Sequence, residues 1–310
     1  MEEIKVLLFY KYVDVVDVEK FREEIIKICE DSNVRGRILV AKEGINGSVS
    51  GFEEETEKFK KLLSNDERFR DIVFKEDLGV AHPFNKLKVL IRNQLINLGI
   101  EFDWKEERGK RLSPKEFLDL YENKEEMIVL DARNDYEYKV GKFKDAIELG
   151  IKTFKEFPKA IEKLKGKENK KIVMYCTGGI RCEKASALLI KNGFIDVSQL
   201  DGGILNFGKE FPDSIWEGKC FVFDKRLLSK VNSGDELVGN CEICEEKCDL
   251  YRNCKNNSCD KFCIVCAECE KEFGGCCSKR CFEEMMRDRN LIGNMNFRAF
   301  CKKPKSLTVI

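Results

Sequence analysis

The stretch Ile172-Val173-Met174-Tyr175-Cys176-Thr177-Gly178-Gly179-Ile180-Arg181-Cys182-Glu183-Lys184-Ala185 decides the fold of the central part of this chain. Ile172 to Tyr175 read as a buried strand, and Lys184 to Lys191 as a helix with an apolar face. Between them lies a short loop opened by Cys176 and paved by Gly178 and Gly179. Glycines let backbone N–H groups turn inward, and a helix N-terminus adds partial positive charge at the same point. A cysteine there is expected to ionise early and react as a thiolate. The plainer alternative is a buried structural cysteine ahead of a glycine-rich turn. Loop length narrows the chemistry. A cysteine-type phosphatase loop has the spacing Cys-x5-Arg, whereas Arg181 stands at Cys-x4-Arg and is followed by Cys182. The shorter ring of N–H groups suits a terminal sulfur better than a phosphoryl group.

Outward from this loop, residues 113–212 alternate helix and short apolar strand, which predicts a parallel α/β unit with Cys176 just past a strand's carboxyl end. The loop resembles the active loop of the rhodanese family, in which the cysteine carries a persulfide. Val129-Leu130-Asp131-Ala132-Arg133-Asn134 with Tyr136-Glu137, and Leu200-Asp201-Gly202-Gly203-Ile204, are similar to that family's early and late turns. Lys142, after Gly141, departs from the histidine many rhodaneses carry.

Residues 1–100 run strand, helix, strand, helix, strand, strand, the rhythm of a ferredoxin-like (acylphosphatase-like) α+β sandwich. Val6 to Tyr10 is the first strand, and Val18 to Cys29 a helix with Phe21, Ile25, Ile26 and Cys29 on one face and Asp17 as N-cap. Gly36 to Val49 reads as one strand carrying Lys42-Glu43-Gly44-Ile45-Asn46-Gly47. Phe52 to Leu63 is the second helix, and Ile72-Val73-Phe74 and Leu87 to Ile91 supply the last strands. Lys42 and Asn46 are candidates to meet a phosphate or base, while Gly44 and Gly47 equally suit a bulged turn. Arg35, Arg37, Lys42, Lys86, Lys88 and Arg92 form a candidate basic face, with ordinary solvated charge as the alternative.

Residues 101–112 read as a charged linker closed by the Ser113-Pro114 helix start, residues 113–215 as the rhodanese unit, and residues 216–310 as a docking segment followed by a cysteine-rich region. Of 16 cysteines in 310 residues, eleven fall between 241 and 281. Cys-x2-Cys pairs hold a metal in tetrahedral thiolate because the short bite brings both sulfurs to one side. With His82 the single histidine, all-cysteine sites are expected, and eleven thiols suffice for two. Structural zinc is favoured over iron–sulfur. Cys241 and Cys244 pair either with Cys263 and Cys266 or with Cys266 and Cys269, and Cys254, Cys259, Cys277 and Cys281 supply the second site.

Lys+Arg and Asp+Glu are 56 each, so no global field attracts nucleic acid and any RNA site is a local patch. The N-terminus lacks a basic region followed by a long apolar run, and no 18-residue apolar stretch occurs. A soluble, cytoplasmic protein with no membrane partner is expected.

Taken together, Gly44-Ile45-Asn46-Gly47, Thr153-Phe154-Lys155-Glu156-Phe157-Pro158, the Cys176 loop, Cys220-Phe221-Val222-Phe223-Asp224 and the cysteine-rich tail resemble the bacterial tRNA uridine hydroxylases of the rhodanese-domain type. That resemblance covers almost the whole chain. It implies oxygen-dependent formation of 5-hydroxyuridine at wobble position 34 of tRNA, molecular oxygen as co-substrate, the anticodon loop as partner, and Cys176 as the reactive cysteine. It also implies an apolar residue at the position of Cys263, which favours Cys266 and Cys269 as ligands. Such hydroxylation normally calls for flavin, haem or iron, yet no flavin or nicotinamide motif is found and a two-histidine iron site is impossible here. The expected mechanism is covalent. Cys176, as thiolate or persulfide, attacks C6 of uracil, and oxygen then reacts at C5. Arg181 and the loop residues Thr177, Gly178, Gly179 and Ile180 hold the developing anion, with Arg133, Lys42 and Asn46 as further substrate contacts. Cys182 is either a resolving thiol or a packed helix-start cysteine, and the reductant is unknown. Two readings compete: a sulfurtransferase using the same Cys176 persulfide, and a non-catalytic RNA-binding scaffold.

Overall fold

The computed structural model describes residues 3–292 apart from 80 and 235; the end of the cysteine-rich region, 293–310, lies outside the described residues. The N-terminal unit contains β1 (Ile4–Tyr12), α1 (Val18–Asp31), β2 (Arg35–Ala41), β3 (Gly44–Gly51), α2 (Glu53–Ser64), β4 (Phe74–Gly79) and β5 (Lys88–Ile91). Its sheet has the order β4-β1-β3-β2-β5. The first four strands pair antiparallel as a ferredoxin-like fold requires, and β5 adds a parallel edge beside β2. The Asp17 side chain caps α1 by accepting from the Lys20 N–H. Phe21, Ile25 and Cys29 then face Phe59 and Leu63 of α2 across Leu7, Phe9, Ile38 and Val49 of the sheet. Each such fully buried side chain stabilises the unit by roughly 2 kcal/mol.

The single strand expected over 36–49 is a hairpin, β2 and β3, turned at Lys42-Glu43. A two-residue turn leaves the apolar run almost unbroken, so periodicity alone misses it. Nor do the glycines make a bulge, because the register is continuous through them. Gly44 has φ +130° and lies against the Lys11 carbonyl, and a Cβ on Gly47 would stand 2.9 Å from the Phe9 ring. The strand expected at Ile72 begins instead at Phe74.

The central unit contains β6 (Lys110–Leu112), α3 (Pro114–Glu122), β7 (Ile128–Asp131), α4 (Asp135–Tyr138), β8 (Gly141–Phe143), β9 (Ile147–Glu148), α5 (Phe157–Ala160), β10 (Lys171–Tyr175), α6 (Ile180–Lys191), β11 (Asp196–Leu200) and α7 (Gly203–Glu210). Its parallel sheet runs β6-β11-β10-β7-β9 with β10 at the centre. Residues 110–112, read as the end of the linker, are therefore an edge strand of this sheet. Ser113 and Glu116 form a capping box at the α3 start.

Beyond this sheet come β12 (Trp216–Phe221), β13 (Leu228–Lys230), β14 (Tyr251–Asn253), β15 (Phe262–Ile264), α8 (Ala267–Glu272) and α9 (Lys279–Ile292). Strand β12 pairs with β8, while Arg226 and Ser229 bond Asp77 of the N-terminal unit, so this segment touches both units ahead of it. Phe221 packs against Tyr136, Tyr251 and Phe262, fastening the tail onto α4.

Candidate active site

Cys176 stands one residue past the end of β10, at the centre of the sheet. Two devices hold the loop open toward its own sulfur. Gly179, with φ +96°, caps α6 and turns its N–H onto Cys176 Sγ at 3.1 Å. At the α7 start, Ile204 N–H donates to the Cys176 carbonyl at 3.0 Å and Leu205 N–H to the Thr177 carbonyl at 3.2 Å. Gly203 makes this approach feasible, since a Cβ there would lie 2.3 Å from the Cys176 oxygen. With the loop carbonyls bonded outward, the loop amides are left for the sulfur.

The electrostatics follow. Burial opposes ionisation of Cys176, but it is outweighed by hydrogen bonding from the Cys182 thiol, the Arg181 charge and the N–H groups of Arg181 and Gly179. The thiol is pulled down to about 5, so the sulfur is a thiolate at neutral pH. Cys182 moves the opposite way: burial and the neighbouring thiolate push it well up. The two sulfurs are thus adjacent, one ionised and one holding its proton, while Cys182 is also packed in the core at the start of α6.

Several candidate residues take other places than expected. Arg181 does not close over the loop. Its guanidinium makes a two-pronged pair with buried Glu137, at 2.6 and 2.8 Å, and reaches Thr177 Oγ1 at 3.3 Å. In this arrangement Arg181 braces the loop and adds its charge to the Cys176 site. Thr177 Oγ1 lies in the same network, 3.5 Å from Glu137. Arg133, expected to touch substrate, is wholly buried: it pairs with Asp131 and donates to the Gly141 carbonyl, beneath Trp216. Ile180 packs with Ala41 and Leu95 between the two units. Lys42 is exposed at the hairpin turn, on a groove of about 300 Å³ shared with Trp104 and Lys184. Asn46 is the cross-strand partner of Tyr10 on the sheet face that looks toward the loop.

That face holds the residues sequence reasoning missed. A Cβ on Gly178 would stand 3.0 Å from Leu8 and 4.0 Å from the Lys75 side chain, and one on Gly179 would stand 3.0 Å from Tyr10 Oη. The N-terminal sheet thus roofs the loop, and Cys176 has no exposed surface. Burial lowers the Lys75 ammonium's pKa, while the Cys176 thiolate acts to raise it. Tyr10 Oη is 3.4 Å from Glu183, which also binds Arg108 at 3.0 Å and pairs with Arg111. Lys184 ties the units together through Glu43 at 2.8 Å and the Ile96 carbonyl. For Glu137 a local signal existed, because Asn134-Asp135-Tyr136-Glu137 has capping-box spacing. Lys75 and Tyr10 had none, since they arrive from another unit.

In the tail, two groups of four cysteines are able to hold a metal: Cys241, Cys244, Cys266 and Cys269, and Cys254, Cys259, Cys277 and Cys281, with all sulfurs of a group within 4.8 Å. Tetrahedral zinc–thiolate bonds of about 2.3 Å place sulfurs about 3.8 Å apart. Cys244 and Cys266 stand at 3.7 Å, Cys259 and Cys277 at 3.7 Å, and Cys277 and Cys281 at 3.6 Å. Backbone amides support the sulfurs: Cys266 N–H points at Cys241 Sγ and Cys277 N–H at Cys254 Sγ. Cys263 is in neither group; its thiol faces the Arg252 carbonyl.

Family models match three successive segments: a UPF0176 acylphosphatase-like domain over residues 4–95, a rhodanese-like domain over 113–210 and a rhodanese C-terminal domain over 217–282. A protein of Bacillus cytotoxicus named tRNA uridine(34) hydroxylase is 46% identical over 283 residues, which are 89% of this chain and 87% of that protein. The chain belongs to the tRNA uridine(34) hydroxylase family. A Staphylococcus carnosus protein of the same name is 44% identical over 91% of this chain and 90% of its own. Among solved structures, a rhodanese-like domain from Anabaena is 21% identical, covers 35% of this chain and 78% of its own, and has a TM-score of 0.30. The hydroxylase family is thus established by sequence relatives of nearly full length.

Proposed function

We propose that this chain hydroxylates the uridine at position 34 of tRNA to 5-hydroxyuridine, with molecular oxygen as oxidant and Cys176 as nucleophile. The observation that carries this is a thiolate ionising near pH 5 at a helix start, in a chain matched over about nine-tenths of its length by proteins named for this reaction. The thiolate adds to C6 of uracil and makes C5 a carbanion equivalent. Oxygen accepts two electrons there, giving with a proton a C5 hydroperoxide. Two equivalents of a thiol reductant convert it to a C5 hydroxyl and water, forming one disulfide. Loss of the C5 proton and expulsion of the Cys176 thiolate restore the ring. The loop amides, with Lys75 beside them, hold the negative charge at the uracil carbonyl. Base entry requires the Leu8–Tyr10 face to lift from the loop, since Cys176 is covered.

Both cysteine quartets are read as structural zinc sites that hold the tail folded. A tRNA substrate supports a cytoplasmic location; among the described residues no helix is long and apolar enough to cross a membrane.

The test is nucleoside mass spectrometry of tRNA from cells with and without this chain, rescued by wild type or by Cys176→Ser. A uridine heavier by one oxygen should vanish in the deletion and return only with wild type. Restoration by Cys176→Ser would end the covalent mechanism. A lost thiolated base, with the oxygen profile unchanged, would move the reading to sulfur transfer.

A further inference from the structure

The exposed side of the N-terminal sheet carries one cross-strand row that spans all five strands: Lys75 on β4, Leu8 on β1, Ser48 on β3, Arg37 on β2 and Lys88 on β5. Directly opposed residues of neighbouring strands share a face, and four strand spacings amount to about 19 Å. At one end Leu8 and Lys75 touch the Cys176 loop at Gly178. At the other end the row opens into a groove of about 570 Å³ at the β5 edge. Arg22, Arg37, Lys86, Lys88 and Arg92 line that groove, with Glu30 the one acidic residue among its lining.

Two further observations mark the row as a path. On one side the sheet face is closed, Val6 and Ser50 being buried with His82 on the Ser50 hydroxyl, while on the hairpin side the adjacent row Tyr10, Asn46, Leu39 and Leu90 is half-buried like this one. The row itself is half-buried from Lys75 to Arg37 and exposed at Lys88, so it opens outward toward the β5 edge. Its basic end gathers five positive side chains against one acidic one, and burial with the charge of Arg92 lowers the Arg37 pKa. Like charges gathered on one edge of a chain with zero net charge are relieved by a polyanion.

We propose that this row, from the basic groove to the Cys176 loop, is the track of a single RNA strand. Phosphates sit on Arg37, Lys88 and Arg92 at the β5 edge, and an unstacked base is delivered along Ser48 and Leu8 to Tyr10, Lys75 and the Cys176 loop. Phosphate contacts fix register and carry no sequence information, whereas an aromatic at the far end receives the base. Single-stranded rather than duplex RNA is required, because the base must leave its stack to reach a sulfur with no exposed surface. The inference rests on the tRNA reading above and assigns the surface that reading uses.

The test is fluorescence anisotropy of a labelled anticodon stem–loop RNA on the full chain across a salt series. Arg37→Glu/Lys88→Glu is compared with wild type and with Lys165→Glu/Lys167→Glu, a charge-matched change at two exposed lysines elsewhere. The expected result is at least tenfold weaker binding for the first pair only, and a slope of log K against log salt reduced by between about one and two. Modification at saturating RNA should keep its kcat while KM rises, and the Cys176 thiolate absorbance without RNA should be unchanged. Should the double variant fold poorly, Lys88→Gln alone at an exposed position carries the test, with about a threefold loss. Binding and modification equal to wild type in the β5-edge variants would overturn the track while leaving the tRNA reading standing. A wild-type chain that neither binds the stem–loop nor alters a uridine would remove that reading itself, and the track with it.

Discussion

Cys176 and the eight clustered cysteines of the tail carry the same sulfur atom in opposite settings. Around Cys176 there is one neighbouring thiol, a guanidinium held by Glu137, and a ring of amides, all beneath a second unit's sheet. In the tail, sulfurs gather in fours, one quartet from two Cys-x2-Cys turns and the other from Cys254-x4-Cys259 and Cys277-x3-Cys281. A lone sulfur with amide donors ionises and keeps its lone pairs for chemistry, whereas four together close a coordination shell. Neighbours rather than residue type decide whether a cysteine reacts or holds.

The sharpest way to break this contrast is to remove the metal. Structural zinc sites contribute on the order of 10 kcal/mol each to folding. A strong chelator, or Cys269→Ser together with Cys277→Ser, should cost two metal equivalents by elemental analysis and expose the tail to protease. Cys176→Ser should keep both equivalents; losing one would show the two settings to be coupled.

Next in size is the brace. Glu137→Gln leaves buried Arg181 without its anion, a change that typically costs about 3 kcal/mol. Denaturant melts should report it. Metal content should not change, because Glu137 lies outside both quartets.

Smaller is the effect of pH. With the thiol at about 5, thiolate absorbance and modification rate should be level from pH 8 to 7 and fall to about half near pH 5. The sign for stability follows from the depressed value. The thiolate's contribution is complete above the unfolded thiol's pKa, near 9, and fades as pH falls through the folded value near 5. Cys176→Ser should remove that slope, which paired melts across the series would detect. Cys182→Ala, by deleting a donor to the thiolate, should move the midpoint upward.

Smallest is Cys263→Ala, expected to cost about 1 kcal/mol for its buried contact and to leave two metals bound. Loss of a metal there would show that Cys263, not Cys269, is a ligand.

What could be read from the sequence tracks how local each feature is. The Cys176 loop and the Cys-x2-Cys pairs are short-range patterns, so their chemistry is legible in residue spacing. The choice between Cys263 and Cys269 was not, because both spacings close a ring of similar size and only the turn at α8 separates them. The Lys42-Glu43 turn was too tight to interrupt the apolar run around it. The partner of Arg181 was hidden for a different reason: a guanidinium goes to the nearest buried carboxylate, and Glu137 lies 44 positions away. Lys75 and Tyr10 come from beyond a domain boundary, and their meeting with Gly178 and Gly179 depends on how two units dock.

The sheet that roofs Cys176 also governs how the molecule ages. Damage to a thiolate by peroxide follows exposure as much as ionisation. This sulfur is acidic yet has no exposed surface, so it meets stray oxidant only while the roof is lifted. Wear on this sulfur then follows how often the roof opens rather than how acidic the thiol is.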